Sequence, residues 1–381
     1  MKIVPGRMPE MIKTKIVATL GPSSAEAGIV EAMIDNGVDV FRLNFSHGTL
    51  DQHDKMLEMV NDARSRRRQM TAVLGDLCGP KIRVGKFNGD AVFLKDGSIV
   101  NITAGAVVGD EKTIPCSYKK IASDVKAGER ILLDDGNLEL KAIKKAGAVL
   151  QARVIHGGAL KNNKGMNLPD TKISVPALTE KDKKDVSYCI EGQVDYIALS
   201  FVRKPEDILE LKDILRKRKS DIPVIAKIEK PEALENISGI IEAADGIMIA
   251  RGDLGVELPA KKVPFIQSTL IEACIEHNKP VIVATQMLES MIERPRPTRA
   301  EVTDVAAACL SGADAVMLSA ETASGKYPVE ALQSMDSILR ETEAYQFFSK
   351  KGRFREVVSR AGNVVSDALS AAIAQLSRDL M

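Results

Sequence analysis

Lys227 and Glu229 stand two residues apart at the end of the β-branched run Val224 to Glu229, and Asp253 follows the next such run, Gly246 to Ala250. Side chains alternate along a strand, so Lys227 and Glu229 share one face while Ile228 turns into the packing behind. Two carboxylates from neighbouring strands suit a Mg²⁺ or Mn²⁺ that keeps waters and substrate oxygens, and the lysine offers a charge for an anionic substrate. The same alternation in Val40 to Ser46 sets Arg42, Asn44 and Ser46 on one face, with Leu43 and Phe45 opposite and His47 in the loop that follows. Asp76 stands at the end of a third run with Lys81 and Arg83 just beyond it, Thr285 near the end of a later one, and Ser319 at the end of the last with Glu321 two residues on. Taken singly, Lys-x-Glu reads as a surface ion pair and Arg-Gly-Asp as a turn. Cations, hydroxyls and a two-carboxylate metal site converging on one place suit a phosphorylated carboxylic acid.

The elements that must hold these groups are eight β-branched runs: Lys15 to Leu20, Val40 to Ser46, Thr71 to Leu77, Tyr196 to Val202, Val224 to Glu229, Gly246 to Ala250, Val281 to Met287 and Ala315 to Ser319. Helix signals separate most of them, including the capping boxes Ser23-x-x-Glu26, with Gly37 at the far end, and Thr298-x-x-Glu301. The pattern predicts an α/β fold, a (β/α)₈ TIM barrel with its chemistry at the C-terminal strand ends. After the third strand the helical period gives way to short alternating runs punctuated by Asn88-Gly89-Asp90, Asp96-Gly97, Asp135-Gly136 and Gly157-Gly158, which is hairpin chemistry. The expected organisation is a barrel in two parts, 1–83 and 176–345, an inserted β-rich lid at 84–175, and a C-terminal helical tail at 346–381. Within that tail Val364, Val365, Ala368, Leu369, Ala372, Ile373 and Leu376 fall at helical spacing.

A formal net charge of +1 over 381 residues gives no global field for nucleic acid or membrane. The basic cluster Arg64-Ser65-Arg66-Arg67-Arg68 ends an amphipathic run, where cations complement a helix C-terminus. Five scattered cysteines without a Cys-x-x-Cys pair argue against zinc or a disulfide framework and suit a reducing cytoplasm. The first fifteen residues lack an apolar core of signal-peptide length, and no run approaches a membrane span.

Read together, Thr19-Leu20-Gly21-Pro22-Ser23, Arg42-Leu43-Asn44-Phe45-Ser46-His47-Gly48, Lys164-Gly165-Met166-Asn167-Leu168-Pro169, Lys227-Ile228-Glu229, Arg251-Gly252-Asp253-Leu254-Gly255, Ala284-Thr285-Gln286-Met287 and Met317-Leu318-Ser319-Ala320-Glu321 strongly resemble the pyruvate kinase family, in its order and over nearly the whole chain. The resemblance implies phosphoryl transfer from phosphoenolpyruvate to ADP, giving pyruvate and ATP, in glycolysis. It implies that Glu229 and Asp253 hold Mg²⁺, and that Lys227 and Arg42 neutralise the moving phosphoryl group. Gly252, Asp253 and Thr285 would cradle the carboxylate, with amides facing outward where a helix begins at Leu254 or beyond. Thr285 and Ser319 would belong to the relay that protonates the enolate. Pro22, Asn44, His47, Arg83 and Lys164 would meet the nucleotide, which brings a second Mg²⁺.

Departures from the family pattern cluster around a monovalent-cation region formed by Asn44, Ser46, Asp76, Leu77 and Lys81. Potassium-dependent members carry threonine, lysine, glutamate and threonine where this chain has Leu77, Cys78, Lys81 and Val84. The Lys81 ammonium would replace K⁺, since a unit charge at ~4 Å and an effective dielectric near 20 is worth about 4 kcal/mol. Asn44, Ser46 and Asp76, which resemble the ion's usual ligands, are nonetheless present. Gln52 and Ser324 replace a tyrosine and a lysine found beside the nucleotide in several relatives. Relatives continue past the equivalent of Met381 into a further domain of about a hundred residues, so contacts through the barrel, near Arg294-Pro295-Arg296-Pro297, would give a homodimer or a higher homo-oligomer. Two other readings use the same residues: a metal-dependent barrel lyase or aldolase acting on a pyruvate enolate, and a non-catalytic phospholigand-binding relative.

Overall fold

The computed structural model describes residues 12–105 and 107–348, together with Leu369. Eight parallel strands close a barrel: Lys15–Thr19, Val40–Asn44, Ala72–Asp76, Tyr196–Leu199, Val224–Ile228, Gly246–Ala250, Val281–Ala284 and Ala315–Leu318. They are the eight runs expected, each pairing with its sequence neighbour and the last with the first. Several stop one to three residues short of the apolar run, so Ser46, Glu229 and Ser319 sit just past the last paired residue. Released from the ladder there, Ser46 and Glu229 line the mouth, whereas Ser319 is not among the lining residues and its hydroxyl is buried.

Strand alternation divides the barrel residues into two shells. Ile16, Phe41, Val73, Ile197 and Val224 turn outward to the helices and join the main core. Val17, Leu74, Ala198, Ile225, Met248, Ala284 and Met317 form a separate cluster, with Val40 packed against it, which is the filled interior of the barrel. Two positions beyond five of these interior residues lie Thr19, Arg42, Asp76, Ser200 and Lys227. The same pleat that packs the interior therefore delivers these polar side chains to its upper end.

The third strand leads into the inserted segment, which has a hydrophobic core of its own drawn from Ile82 to Ile173. It contains a two-stranded pair, Ala91–Leu94 with Gly158–Lys161, and a six-stranded sheet running from Met166–Asn167 to Thr113–Cys116. Of its hairpin signals, Asp135-Gly136 joins two paired antiparallel strands, Arg130–Leu133 and Leu138–Ala146, whereas Asp96-Gly97 and Gly157-Gly158 are turns between strands of different sheets. Gly97 and Gly136 have φ of 77° and 85°, backbone that glycine adopts without strain. One short helix, Ile121–Asp124, interrupts the expected run of strands.

Helix boundaries agree in one case and differ in another. Thr298 caps the helix Arg299–Leu310 with the reciprocal Glu301 bonds expected. The box at Ser23 and Glu26 does not form. Pro22–Ser24 is instead a 3₁₀ turn, Ser24 bonds back to Gly21, and the helix starts at Ala27. Gly21 is needed because a Cβ there would lie 2.5 Å from the Ala323 carbonyl oxygen. The arginine cluster closes the helix Leu50–Arg67, with Arg66 and Arg67 paired to Glu31. Apart from Leu369, which is helical and exposed, the tail at 349–381 lies outside the described residues.

Candidate active site

Arg42, Asn44, Ser46, His47, Lys81, Lys227, Glu229, Asp253 and Thr285 line one cavity at the C-terminal mouth of the barrel, with Cys78, Ser200 and Phe201. Nine residues singled out from the sequence are thus brought together. Asp76 lies directly beneath, only 1 % exposed. Its carboxylate accepts from Arg42 Nε at 2.7 Å and faces Lys227 Nζ at 3.1 Å.

Lys227 is the hub of this arrangement. Its ammonium also lies 2.9 Å from Glu229 Oε1 and donates to Ser200 Oγ at 2.7 Å. Two cations and two carboxylates are buried as a charge-balanced set, the condition under which buried ions are tolerated. Burial alone would raise the Asp76 pKa, but the charges of Lys227 and Arg42 outweigh it and hold the carboxyl below its ordinary value. Burial opposes the Lys227 charge, yet Asp76 and Glu229 hold its pKa well above the usual lysine range. Glu229 shifts upward because burial and the neighbouring Asp253 carboxylate outweigh the help from Lys227. Two carboxylates lining one cavity, each raising the cost of the other's charge, are hard oxygen donors whose repulsion a divalent cation relieves, so the residues present fit Mg²⁺ or Mn²⁺.

Backbone strain gathers around these groups. Phe201 has φ of 55°, and its N–H donates to Glu229 Oε2 at 2.9 Å. Thr285, β-branched, has φ of 73°, a costly conformation held by several bonds. Its hydroxyl donates to Ala284 O and accepts the Gly252 N–H at 2.7 Å, and its carbonyl accepts Arg251 Nη2 at 2.7 Å. Arg251 is braced in turn by Asp304. The helix expected from Leu254 or beyond begins at Arg251 and runs to Glu257, so Gly252 and Asp253 occupy its first turn. The Gly246–Ala250 strand passes straight into helix, with no intervening loop.

Other expected residues lie at the margins. His47 sits at the rim, where burial and the positive charges of Lys81, Arg83 and Arg42 push its imidazole below the ordinary value. Arg83 donates to the Asn163 carbonyl, and Lys164 pairs with Asp134 at 2.7 Å, both on the inserted domain. Pro22 lies in the 3₁₀ turn, and Leu77 is fully buried. Neither is among the residues lining the cavity. The Ser319 hydroxyl is buried and without a partner among the described residues, while its N–H donates to Glu321 Oε2.

Three contributors were missed from sequence. Ser200 bridges Lys227 and the Leu77 carbonyl, Thr19 accepts Arg42 Nη1 at 3.0 Å, and Arg251 supports Thr285. Ser200 and Thr19 were discoverable, since each is the next inward position after an interior residue at a strand end.

A family model described as pyruvate kinase, barrel domain, matches residues 11–332. The pyruvate kinase of Thermotoga maritima is 43 % identical over 370 residues, covering 97 % of this chain and 78 % of that one. That of Geobacillus stearothermophilus is also 43 % identical, over 97 % of this chain but 63 % of its own length. A crystal structure of a pyruvate kinase from Cryptosporidium parvum superposes with a TM-score of 0.84 at 38 % identity, covering 87 % of this chain and 69 % of that one. With the barrel, its inserted domain and the charged mouth already in view, these matches establish that the chain belongs to the pyruvate kinase family, a family of phosphotransferases.

Proposed function

We propose that the mouth of the barrel transfers the phosphoryl group of phosphoenolpyruvate to ADP. The P–O bond to the enol oxygen breaks, a P–O bond to the terminal phosphate of ADP forms, and the enolate carbon takes a proton to give pyruvate. The observation that carries this reading is Lys227, buried and held between Asp76 and Glu229 with Arg42 on the far side of Asp76. Fixed cations at that spot meet the charge of a phosphoryl group in flight and of the enolate left behind, with no reorganisation during the step.

Glu229 and Asp253 would hold Mg²⁺, which when bound polarises the phosphoryl and enolate oxygens. The backbone at Gly252 and Asp253 and the Thr285 hydroxyl take the substrate carboxylate, and Thr285 with Ser319 belongs to the proton relay. The unpartnered Ser319 hydroxyl supports that role, since a buried hydroxyl without a partner has a donor to offer. Asn44, His47, Arg83, Lys164 and Pro22 meet the nucleotide. The segment 84–175 acts as a lid between the two barrel parts 1–83 and 176–345, excluding water from the transfer.

Lys81 replaces a monovalent cation in this scheme. It lines the cavity with Asn44 and Ser46 and has no ion-pair partner among the described residues, while Asp76 is already met by two side-chain cations. Among the described residues no helix is long and apolar enough to cross a membrane. A cytoplasmic setting suits the five free thiols, and a homodimer through the barrel is the proposed assembly, checked by light scattering.

The test is ATP formation from phosphoenolpyruvate and ADP with Mg²⁺, followed by a coupled assay with and without KCl. Turnover that requires Mg²⁺ and both substrates is expected. Carbon–carbon bond cleavage without ATP would favour a lyase, and binding of both substrates without turnover would favour a phospholigand-binding role.

A further inference from the structure

Glu257 ends the short helix that carries Gly252 and Asp253, one turn beyond Asp253 and on the same face. It is 2 % exposed, and its Oε1 accepts two bonds. One comes from Lys230 Nζ at 2.6 Å, the residue next to Glu229, and Lys230 is itself buried. The other comes from Asn167 Nδ2 at 2.9 Å, on the inserted domain. Asn167 belongs to the edge strand Met166–Asn167, paired to Arg130–Leu133 and three residues from Lys164. One carboxylate oxygen therefore joins three parts: the strand end bearing Glu229, the helix bearing Asp253, and the strand of the inserted domain nearest Lys164. The barrel pair alone would satisfy charge. The third partner adds position, because a charge-assisted hydrogen bond from an amide is directional.

We propose that Asn167 and Glu257 form a latch that registers the inserted domain on the helix carrying Asp253, so that both are positioning residues for the nucleotide. This deepens the phosphoryl-transfer reading and rests on it. Among the described residues the Asn167 side chain bonds to Glu257 and not to a residue assigned to the phosphoenolpyruvate carboxylate, although it lines one small cavity with Asp253. Its loss should therefore act on engagement of the lid rather than on the barrel-borne half of the site.

The test uses the full chain. Asn167→Ala removes a hydrogen bond to a charged group, and KM for ADP is expected to rise about tenfold, with KM for phosphoenolpyruvate unchanged. Amide hydrogen exchange across residues 158–168 should speed up in the same variant. Asn167→Asp sets a second carboxylate against Glu257 and should be worse than alanine. Combining Asn167→Asp with Glu257→Gln exchanges donor and acceptor while keeping the net charge beside Lys230, and should return KM for ADP toward wild type. Equal loss toward both substrates with no such rescue would mean a merely structural bond and overturn the latch, as would unchanged exchange at 158–168 in Asn167→Ala. If the wild-type chain forms no ATP, the reaction reading fails, and the exchange comparison still decides the latch.

Discussion

Lys227 Nζ stands 3.1 Å from Asp76 Oδ1, although the barrel strand Tyr196–Leu199 separates the strands that carry them. The contact spans that strand because Ser200, just beyond its end, takes a bond from Lys227 and fills the gap. Asp76 thereby joins Arg42 and Lys227, the two cations assigned to the phosphoryl group, in one rigid unit.

Removing the hub should damage both chemistry and folding. For Lys227→Met, kcat is predicted to fall at least about a thousandfold. Stability should fall by about 3–5 kcal/mol, because Asp76 and Glu229 are left buried with too little positive charge. Steady-state kinetics and thermal unfolding measure the two effects, and a variant with near-normal kcat would refute the assignment.

The unfolded value of an aspartate is about 3.9, and Asp76 titrates lower in the fold because Lys227 and Arg42 outweigh its burial. A depressed folded value contributes stability that is present above about pH 4 and is lost as pH falls through the folded value. Asp76→Asn is therefore predicted to be less stable than wild type at pH 7, with the gap narrowing below about pH 4. Urea midpoints at several pH values test this, and a gap that stays constant would count against it.

Lys81 should govern the cation requirement. Wild type is predicted to turn over in potassium-free Tris buffer, whereas Lys81→Glu should depend on added KCl, since a carboxylate there asks for a cation of its own. Wild-type activity that collapses without KCl would remove the basis of the proposal.

Thr285→Ala deletes the acceptor for the Gly252 N–H and the hydroxyl proposed for the proton relay. A loss in kcat of about a hundredfold is expected. Thr285→Ser should keep most activity, because it retains the hydroxyl and relieves the β-branched strain at φ of 73°. Equal activity in the alanine and serine variants would show that the hydroxyl plays no part.

Much of the site was legible in the chain because a strand repeats every two residues. Once Val224 to Ile228 reads as a strand, Lys227 and Glu229 must share a face or a rim, and Arg42 with Asn44 likewise. Eight such runs imply a barrel, and a barrel sends strand ends to one mouth. Ligand geometry was not legible at that level. That Arg42 reaches Asp76 and not Glu229, that Thr285 bonds Gly252, and that Arg251 turns away to Asp304 all depend on barrel register, on tight strand-to-helix turns and on left-handed backbone at Phe201 and Thr285. Local alternation dictates which way a side chain points. Closure of the barrel decides which groups from distant segments come within a hydrogen bond of one another, and so which charges balance and which remain for the substrate.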